Sequence, residues 1–116
     1  MPPEIKFGYC YLVDMNPPRK SKPGKVRPVI VIESTDVLQA GSPGVVIVPL
    51  TTQIREGNIL RVRIEASALL KLEKESDVLL DQVHTVDRTL FLKELGPLSP
   101  ETMNHVTEGV RFLLGF

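Results

Sequence analysis

The sequence has no tryptophan and only one cysteine, and its aromatic residues are four phenylalanines and two tyrosines. Because a single cysteine, Cys10, cannot form an internal disulfide, a reducing cytoplasm is the expected location. So few aromatic rings argue against the large stacking platform that many single-strand binders use. Neither a phosphate-cradling glycine motif nor an HExxH pair occurs. The two histidines, His84 and His105, form no recognised zinc spacing with Cys10, so we expect no metal and no cofactor.

Long hydrophobic runs are also missing. The longest apolar stretch covers residues 45–48 and extends through Pro49 to Leu50, which is far short of the roughly 18 residues that a membrane span needs. The first ten residues contain prolines and an acid where a secretory peptide has its apolar core. We therefore expect no membrane segment and no export signal. With 116 residues and no repeat or long linker, residues 1–116 are expected to form one domain.

The chain has no net charge, since 14 basic residues balance 14 acidic ones. The distribution is nevertheless uneven, because the segment between positions 15 and 32 holds five cations and no acid. These cations are Arg19, Lys20, Lys22, Lys25 and Arg27. A basic segment on a neutral chain indicates either a confined anion site or a solvated surface loop, and charge alone does not choose between them.

Short β-branched runs separated by proline and glycine predict a small sheet with many turns. The predicted strands are residues 9–13, 29–32, 45–50, 59–65, 78–80, 83–86 and 91–95, and residues 66–72 are predicted to form a short helical turn. Only the end of the chain is helical in pattern, with Ser99 as N-cap and Gly115 at the exit. We therefore predict a mainly β fold, a small barrel closed by one C-terminal helix.

Two polar residues flank the two most apolar strands. Arg27 precedes Pro28 at the start of one strand, and Thr51 ends the next. If these consecutive strands pair as a hairpin, Arg27 and Thr51 lie at the same edge of the sheet. Pro28 restricts Arg27 to an extended backbone, and a guanidinium binds phosphate oxygens bidentately. The pair therefore predicts a phosphate site, although an ordinary surface ion pair and a turn residue explain the same pattern.

Three blocks of the sequence resemble the MazF/PemK family, the ribosome-independent endoribonuclease toxins of bacterial toxin–antitoxin pairs. The first block runs from Asn16-Pro17 through the basic loop to Arg27-Pro28 and on to Thr51. The second, residues 76–87, contains a serine, an apolar run, Gln82 and a Thr-Val-Asp triplet. The third is Leu-Gly-Pro-Leu-Ser followed by the C-terminal helix. Together they cover nearly the whole chain in the family's order.

The resemblance implies an SH3-like barrel of the MazF/PemK/CcdB type, a homodimer, and metal-independent cleavage of single-stranded RNA at short sequences. In that reaction the substrate's own 2′-hydroxyl attacks the adjacent phosphorus and leaves a 2′,3′-cyclic phosphate. The family's catalytic residues fall on Arg27, which would stabilise the phosphorane charge, and on Thr51, which would donate a hydrogen bond. Asp81 is a possible acid or base, or else an ion-pair partner of a loop cation. The expected RNA-binding residues are Arg19, Lys20, Lys22, Lys25, Gln53, Gln82 and Thr85.

Two positions depart from the family's pattern. Lys22 stands where many members have an acid, and His84 stands where an Arg or Lys is common. Neither change removes Arg27 or Thr51. The resemblance also implies a cognate antitoxin, for which we expect an acidic, disordered segment that folds over residues 19–27. Two other functions remain open at this point, a non-enzymatic toxin of the same fold that poisons DNA gyrase and a catalytically idle binding module.

Overall fold

The computed structural model describes residues 3–15 and 25–116. The strands are β1 (Tyr9–Asp14), β2 (Val26–Val31), β3 (Gly44–Thr51), β4 (Arg61–Ile64), β5 (Ser76–Leu79), β6 (His84–Asp87) and β7 (Phe91–Pro97). The helices are α1 (Thr35–Gln39) and α2 (Pro100–Leu114). Each predicted strand is present, with ends shifted by up to three residues. The Asn16-Pro17 turn and the loop cations Arg19, Lys20 and Lys22 lie outside the described residues.

All strand pairs are antiparallel, and β3 lies at the centre of the sheet, whose order is β4-β5-β3-β2-β1-β7. One edge of β3 pairs with β2, in a register that aligns Val29 with Pro49. Its other edge is shared by two strands, with β6 along residues 44–47 and β5 at Leu50 and Thr51. The two most apolar segments therefore form the predicted hairpin at the centre of the sheet.

The predicted mainly β fold with a C-terminal helix is confirmed, but closure of the sheet into a barrel is not. Within the described part of the chain, no hydrogen-bonded ladder joins β4 to β7, so these strands are the two ends of an open sheet. The burial explains the open form, because apolar side chains are buried on both faces and not around a single interior. One cluster contains Val48, Met103 and Val106. The other contains Ile47, Leu38 and Phe91.

Cys10 lies in the cluster beneath α2 and is fully buried. Burial raises the pKa of its thiol to about 12, so it stays protonated at neutral pH. A protonated, inaccessible thiol is a poor nucleophile. Cys10 is therefore a core residue.

Helix α2 begins and ends where the sequence predicts. The Ser99 hydroxyl accepts a hydrogen bond from the Thr102 N–H at 3.1 Å, and Pro100 occupies the first turn. Gly115 ends the helix with φ 81°, a left-handed conformation that glycine adopts without strain. Met103 and Val106 anchor the helix on the sheet. No helix in residues 3–15 and 25–116 is long and apolar enough to cross a membrane.

The helical turn predicted for residues 66–72 is wrong. The Ser67 hydroxyl accepts hydrogen bonds from the N–H groups of Leu69 and Leu70, at 3.2 and 3.0 Å, which favours a tight turn over a helix. Lys71 donates its N–H to Leu95 at 2.8 Å, so the segment lies against β7. There Gly96, at φ 117°, packs against the Leu69 carbonyl, where a Cβ would overlap it.

Helix α1 was not predicted from the sequence, which was interpreted as a loop between β2 and β3. Its signals are present but short. Ser34 is the N-cap, its hydroxyl accepting from the Val37 N–H at 3.4 Å, and Asp36 lies in the first turn. Only Leu38 is buried. Five residues carry too little periodicity to distinguish such a helix from a turn.

Candidate active site

Arg27 is the second residue of β2 and Thr51 is the last residue of β3, so both lie at one end of the β2–β3 hairpin. The observed pairs run from Val31 with Ile47 to Val29 with Pro49, and the same register continued by two positions aligns Arg27 with Thr51. Directly opposed residues of an antiparallel pair have Cβ atoms about 4.5–5.5 Å apart. The geometry therefore agrees with the predicted phosphate site.

Both side chains also project from the same face of the sheet. Arg27 alternates along β2 with Val29 and Val31, and Thr51 alternates along β3 with Ile47. Those three apolar residues belong to the cluster covered by α1 and Phe91. The face is thus apolar along most of its length and becomes polar at the end of the hairpin, where a charged ligand can approach.

The Arg27 side chain is half-buried, and in the described ranges it forms no hydrogen bond or ion pair with another residue. The Arg27 backbone is paired with Val13 of β1 in the ladder. The ring of Pro28 also restricts Arg27 to an extended conformation. A guanidinium in this position keeps all its donors for an external anion. Five N–H groups in a planar fork suit two oxygens of one phosphate.

The Thr51 hydroxyl has a defined orientation. Its oxygen accepts a hydrogen bond from the Gln53 N–H at 3.1 Å, in a turn that begins where β3 ends. A hydroxyl has one proton to donate, and among the described residues no acceptor takes it. The local turn therefore uses the oxygen as acceptor and leaves the proton for a ligand on the same face as Arg27.

A buried carboxylate lies on the other side of Thr51. Asp77 of β5 is paired with Thr51 in the ladder, and Arg63 of β4 is paired with Asp77. The Asp77 side chain is only 1% exposed and accepts from Arg63 Nε at 2.7 Å and from an Arg61 terminal nitrogen at 3.1 Å. It also accepts from the Arg55 N–H at 2.9 Å. The ladders thus align Arg27 with Val13 on one side of the hairpin, and Thr51 with Asp77 and Arg63 on the other.

The environment of Asp77 stabilises its charge. Burial by itself would raise the pKa of this carboxyl group, but the hydrogen bonds from Arg63, the Arg55 N–H and Arg61 together hold it below its ordinary value. The hydrogen bond to Asp77 in turn raises the pKa of Arg63. Both partners therefore stay ionised at neutral pH.

Sequence reasoning missed this cluster. The alternation Arg61-Val62-Arg63 predicts a strand with its charged side chains on one face, but it does not identify their partner. Asp77 precedes an apolar run, where a buried carboxylate needs a hydrogen-bond or ion-pair partner. The sequence does not identify that partner. The missing information is the pairing of β4 with β5, because these two strands lie 11 residues apart in the chain.

Comparison with known proteins agrees with the three blocks of the sequence. Residues 6–114 match the family of PemK-like, MazF-like toxins of type II toxin–antitoxin systems. The chain belongs to this family. The endoribonuclease MazF of Staphylococcus saprophyticus is 35% identical over 112 residues, which are 96% of this chain and 92% of that protein.

Solved structures of MazF toxins share the fold. A mycobacterial endoribonuclease in complex with its cognate antitoxin has a TM-score of 0.77 at 22% identity, over 97% of this chain and 96% of that one. A MazE–MazF complex from Deinococcus radiodurans has a TM-score of 0.76 at 20% identity, over 97% of both chains.

Not all the predicted site residues of this toxin lie close together within one chain. Lys25 is exposed two positions before Arg27, and Gln53 is exposed two positions after Thr51. Thr85, by contrast, pairs with Val46, five positions back along β3 from Thr51, or roughly 16 Å at the usual strand rise.

Asp81 and Gln82 lie between β5 and β6 and are exposed. Asp81 is four positions beyond Asp77, or roughly 13 Å along the strand direction. It is therefore not beside Thr51 in the same chain, and its role as acid or base stays a prediction. No group of three or more metal-ligating side chains is found in the part of the chain that the structure describes.

The opposite face of the same sheet end has a cleft of about 540 Å³. Its apolar walls include Leu12, Pro28 and Leu72, and three ammonium groups line it, from Lys71, Lys74 and Lys93, with Glu73 as the acid among them. Val26 and Pro28 alternate with Arg27 along β2. The cleft and the Arg27 side chain therefore lie on opposite faces of the sheet.

Proposed function

We propose that the protein is a sequence-specific endoribonuclease toxin that cuts single-stranded RNA without a metal ion. The observation that carries the proposal is that an uncommitted guanidinium, Arg27, lies at the same end of the hairpin as a hydroxyl, Thr51, whose proton no described residue accepts. The relationship to an endoribonuclease at 35% identity over nearly the whole chain supports the same activity. The exposed Lys25 and Gln53 flank the pair in position to hold an RNA strand.

In the proposed reaction the 2′-hydroxyl of the nucleotide before the cut attacks the neighbouring phosphorus. A bond forms between the 2′-oxygen and phosphorus, and the bond from phosphorus to the 5′-oxygen of the next nucleotide breaks. The 2′-hydroxyl proton goes to a base and the leaving oxygen receives a proton, so the products are a 2′,3′-cyclic phosphate and a free 5′-hydroxyl. The nucleophile comes from the substrate, which removes the need for a protein nucleophile.

Arg27 and Thr51 act on the phosphorane charge. Two non-bridging oxygens gain negative charge as the phosphorus becomes five-coordinate, and the guanidinium binds them more tightly at that stage than in the ground state. The Thr51 proton donates to one of the same oxygens. A guanidinium has five N–H donors and no acceptor, so Arg27 is assigned to charge stabilisation and the base is left unassigned.

The protein is proposed to work as a homodimer that a cognate antitoxin neutralises. Homologous toxins have been solved with their antitoxins. An acidic segment with apolar anchors suits the cleft on the opposite face, because its walls are apolar and lysines line it. Light scattering should give about twice the chain mass of 12.9 kDa, and a monomer at micromolar concentration would contradict the dimer.

Cleavage of a long RNA in EDTA tests the nuclease against both alternatives. We expect fragments ending in a 2′,3′-cyclic phosphate, with an Arg27→Ala protein purified in parallel as the control for contaminating nuclease. A gyrase poison would leave the RNA intact and inhibit gyrase supercoiling, while an idle binding module would do neither. Intact RNA with the wild-type protein would overturn the proposal.

A further inference from the structure

We propose that Asp77 and Arg61 are positioning residues that orient the Thr51 hydroxyl through the backbone of Gln53. The inference rests on the proposed nuclease function, in which Thr51 donates to the phosphate. It adds two residues to the site, and neither of them needs to touch the RNA.

A continuous chain of hydrogen bonds joins the buried carboxylate to the hydroxyl. An Arg61 terminal nitrogen donates to Asp77 at 3.1 Å, and the same nitrogen donates to the Gln53 carbonyl at 2.7 Å. The Gln53 N–H donates to Thr51 Oγ1 at 3.1 Å. Each link is within ordinary hydrogen-bond range. The carbonyl and the N–H of Gln53 belong to the two peptide groups on either side of its Cα, so Arg61 fixes the position of residue 53 and with it the N–H that contacts Thr51.

A second link fixes the same segment further along. The Arg55 N–H donates to Asp77 at 2.9 Å, on the carboxylate oxygen that Arg61 also contacts. Asp77 therefore holds residues 53–55 at two points, through Arg61 and directly. Since this segment has no strand or helix of its own, these bonds replace the missing secondary structure.

Burial protects the ion pair at the start of this chain of bonds. The Asp77 side chain is 1% exposed and that of Arg61 is 15% exposed, so little water competes for the hydrogen bond between them. The two bonds of Gln53 lie at the surface. Hydrogen bonds with an ionised partner are shorter and stronger than neutral ones. Loss of the Arg61 contact would free the Gln53 backbone to move, and the Thr51 oxygen would then lose its donor.

The consequence concerns the direction of the Thr51 proton. While the Gln53 N–H occupies one lone pair of the hydroxyl oxygen, the proton has to point elsewhere, and the face shared with Arg27 is open to it. Without that N–H, the hydroxyl could rotate among its staggered positions. Preorganised donors stabilise a transition state because they need no reorganisation during the reaction.

A double-mutant cycle on the cleavage rate at saturating RNA tests the proposal. The four proteins are wild type, Asp77→Asn, Thr51→Val and the double variant. We expect Asp77→Asn to lower the rate about tenfold, which is within the coupling seen for residues in one hydrogen-bond network. In the Thr51→Val background the same change should have no more than about a twofold effect, because no hydroxyl is left to orient.

Glu75→Gln provides the matched control. Glu75 contacts Arg63 at 3.4 Å and makes no contact with the chain of bonds from Asp77 to Thr51. Its replacement should leave the rate of each background, wild type and Thr51→Val, unchanged. A purely structural Asp77 would instead lower the rate by the same factor with and without Thr51, and that result would overturn the proposal.

Two further measurements keep the test decisive. If Asp77→Asn does not fold, Arg61→Lys replaces it in the cycle, since lysine keeps the charge beside Asp77 but lacks the fork that reaches both acceptors. Amide exchange at Gln53 and Arg55 should be faster in either variant and unchanged in Glu75→Gln.

The two proposals fail in different ways. A wild-type protein that leaves RNA intact would overturn the nuclease function, and the exchange rates would still decide whether Asp77 holds the segment. An active wild type with equal Asp77→Asn effects in both backgrounds would overturn only the positioning role.

Discussion

Thr51 lies between one arginine on the β2 side and two arginines on the β5 side, and their side chains have different partners. On the β2 side, Arg27 is half-buried and has no bonded partner among the described residues. On the β5 side, Arg61 and Arg63 donate to Asp77. The role of each arginine therefore depends on whether a carboxylate lies beside it. A neighbouring carboxylate occupies the N–H donors that a phosphate would need.

The same contrast separates stability from activity. Asp77 carries a buried charge that only its arginines and one N–H compensate. Loss of any of these donors leaves part of that charge uncompensated, which is costly in a low-dielectric interior. Removal of Arg27 leaves no buried group unsatisfied. We therefore expect substitutions on the β5 side to lower the free energy of unfolding as well as the cleavage rate, and substitution of Arg27 to lower the cleavage rate alone.

The largest effect on stability is expected for Asp77→Ala. Breaking a buried ion pair costs 3–5 kcal/mol in general, and we expect about 3 kcal/mol here because Arg63 stays partly hydrated. Urea denaturation measures this loss. The control is Glu56→Gln, at a carboxylate that is 85% exposed, where we expect a change below about 0.5 kcal/mol. Equal losses for the two variants would remove the distinction between the two sides.

Thr51→Val should lower the cleavage rate at saturating RNA roughly 100-fold, close to the effect of removing one oxyanion-hole donor. Valine keeps the β-branched shape that suits the end of a strand, so the fold should persist. Single-turnover kinetics provide the rate and circular dichroism checks the fold. A rate within about twofold of wild type would exclude Thr51 as a donor to the phosphate.

Acid should destabilise the protein through Asp77. Since the folded-state pKa of Asp77 is lower than its ordinary value, its contribution to stability is complete at neutral pH. That contribution is lost as the pH falls from about 4 through the folded-state pKa. Asp87, whose pKa the Thr89 hydroxyl and N–H also lower, adds to the same window.

The comparison of urea midpoints between wild type and Asp77→Asn isolates the Asp77 part. The variant should start less stable at neutral pH and lose less as the pH falls, so that the two curves converge in acid. Parallel curves would mean that Asp77 is not the group responsible.

The smallest effect is expected for the loop cations. Neutralising Arg19, Lys20 and Lys22 together should weaken RNA binding and reduce its salt dependence by about 0.7 per lost phosphate contact. The single-turnover rate at saturating RNA should hardly change. Lys6→Gln is the control, because Lys6 pairs with Glu94 and precedes the end of β1 that is remote from Arg27. An unchanged salt slope would assign these cations to a solvated loop.

Local sequence signals predicted most of the fold and the positions of Arg27 and Thr51 at the end of the hairpin. Strands show as β-branched runs, and α2 shows through Ser99, Pro100 and Gly115, because caps act within a few residues. Arg27 and Thr51 were predictable as a pair because consecutive strands commonly form a hairpin. The Asp77 cluster was not, because it depends on which strands pair after a longer connection.

The wrong predictions have the same origin. Closure of the sheet depends on whether β4 meets β7, which lie far apart in the chain. Residues 66–72 have helix-forming leucines and alanines, but the hydrogen bonds of Ser67 and the contact of Leu69 with Gly96 decide the conformation.

The central claim is that Arg27 is the arginine committed to the substrate and not to the fold. The most direct measurement is the cleavage rate of Arg27→Ala at saturating RNA, made on a protein whose free energy of unfolding is determined in parallel. We predict a loss equivalent to about 2.7–4 kcal/mol of transition-state stabilisation, with unfolding changed by less than about 0.5 kcal/mol. An Arg27→Ala protein that cuts RNA at the wild-type rate would contradict the account.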